Sequence, residues 1–172
     1  GGLTGDAITT GNNNVAVGSY SLTANQTGHQ NTAIGVQSLN ACTGTDNTAV
    51  GMNAGLAIAG GSNNTTVGST AGDAITTGDY NICLGWASGT HDVDLQTGEG
   101  NVLIGPFSNT TATDSDYANA LGYDISAEAG YTTLGKGTAD IRAAHGTATW
   151  ATVSDERYKK DITDSTLGLS FI

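Results

Sequence analysis

The sequence predicts an all-β fold: a repetitive parallel β-roll or solenoid of about seven turns of ~17 residues, ending in a short helix start. Three observations carry this expectation. A glycine-framed octet recurs at a near-constant period, two columns alternate within each octet, and the composition is short of charge but rich in β-branched residues.

The octet reads G-x-x-N-x-x-x-G. It appears as "GNNNVAVG" (Gly11–Gly18), "GHQNTAIG" (Gly28–Gly35), "GTDNTAVG" (Gly44–Gly51) and "GSNNTTVG" (Gly61–Gly68). "GDYNICLG" (Gly78–Gly85) and "GEGNVLIG" (Gly98–Gly105) continue it, and "SDYANALG" (Ser115–Gly122) is its faded last copy. The closing glycines step by 17, 16, 17, 17, 20 and 17 residues, and "DAITTG" recurs verbatim at Asp6–Gly11 and Asp73–Gly78. A short fixed period of this kind is the signature of a stacked coil, in which each turn buries its apolar surface against its neighbours.

Each column has a physical reading. A large aliphatic lies three residues after each Asn (Val17, Ile34, Val50, Val67, Leu84, Ile104), and the residue before it is usually small (Ala16, Ala33, Ala49, Thr66, Cys83). Neighbours in a strand point to opposite faces. The large column is expected to fill the coil's interior, and the small one to let something approach from the other side. The closing glycine suits a turn with φ > 0. Asn14, Asn31, Asn47, Asn64, Asn81 and Asn101 are expected to stack as a structural ladder whose amides satisfy backbone groups at the turn.

Composition supports order over disorder. Gly is 26 of 172 residues, Pro106 is the single proline, and charged residues are 12%. Disordered chains favour Pro, Lys and Glu over the Thr, Val and Ile seen here. All five basic residues follow Gly135, whereas residues 1–135 carry eleven acidic ones, so the net charge of −11 belongs to the repeat. A surface without cations neutralises no phosphates, so nucleic acid and anionic membrane are poor partners. No stretch reads as a membrane span or a signal peptide. Cys42 and Cys83 occupy different registers and read as free, buried small hydrophobes. No cofactor is implied, and no metal: the acidic residues lack the spaced nonapeptide of calcium-binding rolls. His29, His91 and His145 are scattered and read as surface residues.

Where the period changes, function is expected. Between Gly85 and Gly105 the step grows to 20, and "WASGTHDVDLQTGEG" brings in Trp86, His91, Asp92 and Asp94. An insertion in a solenoid maps to a loop on one face, so these four are candidate surface contacts. After Gly135 the pattern ends. The chain divides into a repeat region (1–135), a β-rich neck (136–153) and a charged terminal segment (154–172). In "VSDERYKKDI", Ser154 makes a good helix N-cap, and Asp155–Lys159 and Glu156–Lys160 are favourable i,i+4 pairs.

Two resemblances sharpen this reading. The columns N-T-A-[IV]-G-x-x-S, over roughly residues 11–135, resemble the head repeats of trimeric autotransporter adhesins. That likeness implies a left-handed parallel β-roll in each chain of an intertwined homotrimer. "TWATVSDERYKKDI" resembles the opening of the endosialidase-type intramolecular chaperone of phage tail spikes and fibres, matching at Ser154, Asp155, Arg157 and Lys159. This second likeness implies a chaperone that trimerises the fibre and then removes itself by one self-cleavage. Ser154 would be the nucleophile and Lys159 its base, with Val153, Asp155 and Arg157 flanking the cut. The only enzymatic activity implied is that single turnover.

Together they suggest a structural and host-adhesion segment of a trimeric viral tail fibre or spike. Such a segment is made in the host cytoplasm, works outside the cell on the virion, and meets a host cell-surface glycan or protein. A bacterial trimeric adhesin head, or a monomeric ice- or sugar-binding solenoid, are the alternatives.

Overall fold

In a computed structural model, residues 2–147 and the backbone of residues 151–152 are described. The terminal segment that carries Val153, Ser154, Asp155, Arg157, Lys159 and the expected helix start lies outside the described residues.

The chain is a β-solenoid. Short strands β1 (Val15–Val17), β2 (Thr32–Ile34), β3 (Thr48–Val50), β4 (Thr65–Val67), β5 (Ile82–Leu84) and β6 (Val102–Ile104) stack in sequence order. After the two-residue β7 (Asn109–Thr110) come β8 (Asn119–Tyr123), β9 (Ser126–Ala127), β10 (Tyr131–Lys136), β11 (Ala139–Ala144) and β12 (Ala151–Thr152). The main sheet runs β1-β2-β3-β4-β5-β6-β8-β10-β11-β12, and β7 pairs with β9 alongside it. Pairing is parallel and strictly in register from β1 to β10, with Val17 beside Ile34, Ile34 beside Val50 and Val50 beside Val67. The long turn keeps this register, placing Ile82 beside Val102, so its extra residues are looped out. At Gly137, φ +55°, the chain reverses, and β11 returns antiparallel to β10.

The inside and the outside of the coil are the reverse of what the columns suggested. Ala33, Ala49, Thr66, Cys83, Leu103 and Ala120 are fully buried, while Val17 is 54% and Ile34 39% exposed. The small column lines the interior, and the large aliphatics stand on the outer face of the sheet.

The reason is the width of the coil. From β1 to β5 each turn closes the core from the side opposite the strands with one large aliphatic, and at β6 the strand itself supplies it as Leu103. In the first two turns this is Leu22 or Leu39, four residues after the octet's closing glycine, and the position seven after it holds Asn25 or Cys42. In the next two turns the fourth position is Gly55 or Gly72, and the seventh is Ile58 or Ile75. A Cβ on Gly55 would lie 2.9 Å from Leu39 Cδ2 and 3.0 Å from Ile58 Cδ1. The interior thus holds one large side chain per turn, and the strand residue facing it must be small.

Backbone crowding explains the glycines. Gly51 has φ +138°, and a Cβ there would stand 2.5 Å from the carbonyl oxygen of Gly68 in the next turn. Other corners bend through left-handed residues that are not glycine, such as Gln30, Tyr80 and Thr70, with φ of 59°, 59° and 55°.

The buried Asn column stitches the turns together. Asn47 accepts from the Asn64 backbone N–H at 3.0 Å and donates its amide to the Gly61 carbonyl at 2.9 Å. Asn64 repeats this with Asn81 and Gly78, and Asn81 with Asn101 and Gly98. The Ser three residues after the closing glycine has its own duty: Ser21 and Ser38 donate to the carbonyls of Gly18 and Gly35 at 3.0 and 3.1 Å.

Candidate functional site

Two surface features stand out. The first is the outer face of the sheet. Each main-sheet strand from β1 to β6, and β8 after them, places side chains there, running from Val15 and Val17 through Thr32 and Ile34 to Asn119 and Leu121. Not one of these positions is charged. Val15, Val17, Ile34, Val67, Ile104 and Leu121 are all at least 37% exposed. The columns align because parallel in-register pairing stacks like on like, so scattered exposed aliphatics become one continuous apolar stripe. Stripes of this kind on soluble proteins mark contact surfaces.

The second feature lies where the long turn meets the end of the coil. Trp86, 57% exposed, packs against Phe107 with ring centroids 4.7 Å apart. Phe107 also contacts the His91 ring at 4.3 Å and the Tyr123 edge at 5.8 Å, and Lys136 Nζ lies 5.7 Å from the centre of the Tyr123 ring. These groups come from successive turns, so stacking builds the aromatic cluster. His91 Nδ1 is 3.2 Å from Asp92 Oδ1, and donor atoms of His91, Asp92 and Asp124 all lie within 4.8 Å of one another.

Beside them, Asp92, Asp124, Ser126, Gly137, Thr138 and Asp140 line a surface cavity of about 370 Å³. Asp140 is only 9% exposed, and its Oδ1 has no hydrogen-bond partner among the described residues. Burial holds the Asp140 carboxyl above the usual carboxylate range, against a hydrogen bond from its own backbone and the attraction of Arg142. Asp94 turns elsewhere. It adds to burial in raising the Asp73 carboxyl, with a hydrogen bond from Thr90 opposing both.

Of the four residues flagged in the insertion, the structure gathers Trp86, His91 and Asp92 at one place and leaves Asp94 apart. It adds Phe107, Tyr123, Asp124 and Asp140, which the sequence did not single out. The octet columns offered a partial signal for Tyr123 and Asp124, the first and second residues after the closing glycine Gly122. His29 and His145 lie apart from this cluster: His29 Nδ1 accepts from the Asn12 N–H at 3.0 Å, and His145 Nε2 lies 3.1 Å from the Thr132 hydroxyl and 3.3 Å from the Asn119 amide nitrogen. Cys42 and Cys83 are free and buried.

Compared with models of protein families, with curated proteins and with solved structures, the chain matches none. Fold and surface therefore define its class: a β-solenoid protein with an uncharged apolar sheet face.

Proposed function

We propose that this chain is a structural and host-adhesion segment of a trimeric viral tail fibre or spike, in which the apolar sheet face packs against two further copies. The stripe from Val17 to Leu121 is the observation that supports the reading. A coil that holds one large side chain per turn buries little for itself, and its aliphatics stand on the outside where another copy can cover them. Covering each half-exposed Val, Ile or Leu contributes about 1 kcal/mol, so the stripe as a whole is worth several. The absence of charge along it lets identical copies meet without like charges facing, and the acidic groups elsewhere are screened beyond about 8 Å at physiological salt.

The terminal signature supports placing the segment just ahead of a self-removing chaperone, with Ser154 as nucleophile, Lys159 as base and the cut on either side of Ser154, attack on the Val153 carbonyl being the easier geometry. A serine attacking its own carbonyl would need a four-membered ring. Lys159 serves as base only if its charge is disfavoured, for which Arg157 and Lys160 are the neighbouring cations.

Native mass spectrometry of the chain expressed with its natural C-terminal continuation tests both parts. The expected result is a trimer that has lost everything beyond the Ser154 region, and an uncut trimer for Ser154→Ala. Val67→Asp, placing a carboxylate mid-stripe, is expected to give monomers with unchanged circular dichroism. A monomeric parent chain sinks the fibre reading, and an uncut parent trimer removes the self-cleavage from it.

A further inference from the structure

We propose that His91, Asp92 and Asp124, with Asp140 behind them, form a divalent metal-ion site that staples the long turn to the closing hairpin.

The geometry suits one ion. Donors on opposite sides of an ion bound at about 2.1–2.4 Å stand about 4.2–4.8 Å apart, and the donor atoms of His91, Asp92 and Asp124 fall within that 4.8 Å limit. Their chemistry is a mixed set of one imidazole nitrogen and carboxylate oxygens. Such a set suits a divalent transition ion that accepts both, of which manganese is the oxygen-tolerant member. Ser126 and Thr138 line the same cavity as Asp92 and Asp124.

Asp140 makes this more than an exposed acidic cluster. It lines the cavity, is nine-tenths buried, and its Oδ1 meets neither solvent nor a hydrogen-bond donor among the described residues. An unpaired buried carboxylate is costly unless it takes up a proton or a cation meets it. Among the described residues the two side-chain cations make their direct contacts elsewhere, Arg142 reaching Asp140 only through space. Arg142 donates to Glu128 at 3.0 Å and lies over the Tyr131 ring, while Lys136 reaches over Tyr123.

The ligands also come from separate stretches of chain. His91 and Asp92 belong to the long turn and Asp124 follows β8, while Asp140, second residue of the return strand β11, lines the cavity beside them. An ion bound to His91, Asp92 and Asp124 ties the looped-out insertion to the end of the coil, and so holds Trp86 and Phe107 beside it in one orientation.

The test is titration of the metal-stripped 172-residue chain with MnCl2, followed by loss of the free-ion electron paramagnetic resonance signal. The expected result is saturable uptake of one ion per chain, with a rise in melting temperature. Asp92→Asn with Asp124→Asn is expected to weaken uptake at least about tenfold and abolish the rise. Both side chains are exposed, and Asn tolerates the left-handed φ of +53° at position 124, so the double variant keeps the fold. His91→Gln is expected to weaken manganese binding while the circular dichroism stays that of the parent. No saturable uptake by the parent chain, or equal uptake by the double variant, overturns the proposal.

Discussion

Removing one rung of the asparagine ladder from the middle of the coil should cost more than removing one at its end. Asn64 is fully buried. Its amide nitrogen donates to the Gly78 carbonyl at 2.8 Å and to Asn47 Oδ1 at 3.1 Å, and its oxygen accepts from the Asn81 N–H at 3.0 Å. Asn64→Ala strands the Gly78 carbonyl and the Asn81 N–H in a place water does not reach. A buried group left unsatisfied costs about 1–3 kcal/mol, so the two together predict about 2–6 kcal/mol.

Asn14 makes the same pair of bonds, at 2.9 Å each, but it is only half-buried, and the Gly28 carbonyl it serves also accepts from Asn25 at 3.2 Å. Asn14→Ala should therefore cost less, about 1–3 kcal/mol, because only the Asn31 N–H is left without an acceptor. Urea unfolding by far-ultraviolet circular dichroism, at matched protein concentration, measures both. If the two variants lose stability equally, or Asn64→Ala loses less than about 1 kcal/mol, the ladder is not what ties the turns together.

Two further outcomes follow from burial. The Thr66 hydroxyl is fully buried and has no hydrogen-bond partner among the described residues, so Thr66→Val should leave stability unchanged or raise it by about 1 kcal/mol, read by the same unfolding curves. Burial pushes the Cys42 thiol up to about 11, against hydrogen bonds at Gly44 and Asn47, and the Cys83 thiol up to about 12. Both should resist iodoacetamide in the folded chain at pH 8 and react fully in denaturant. Modification of either thiol in the native state would show that the coil opens at that turn.

The strands were legible because the octet marks them directly. Each of β1 to β6 begins at the residue after its Asn, and the closing glycine takes the left-handed backbone its type permits. Which face is the interior was not legible from the octet, because alternation says only that Ala33 and Ile34 point opposite ways. The deciding signal lay outside it, in the exchange of Leu39 and Cys42 for Gly55 and Ile58, which reveals room for one large side chain per turn. The lengthened step led to Trp86, His91 and Asp92. It could not lead to Asp124 or Asp140, whose approach depends on the shorter turn between β8 and β10, where Gly122 pairs with Gly135, and on the hairpin that reverses at Gly137.

The unbroken register of the parallel stack also makes the molecule a ruler. Eight strands from β1 to β10, omitting β7 and β9, are separated by seven steps, and at about 4.7 Å per step they span about 33 Å. A turn that gains three residues, as the one after Gly85 does, adds nothing to that length, because the excess leaves sideways as a loop. A duplicated or deleted turn changes the length by one step and leaves every other contact as it was. Reach and surface decoration are therefore written in separate places: reach in the number of octets, decoration in the spacers between them.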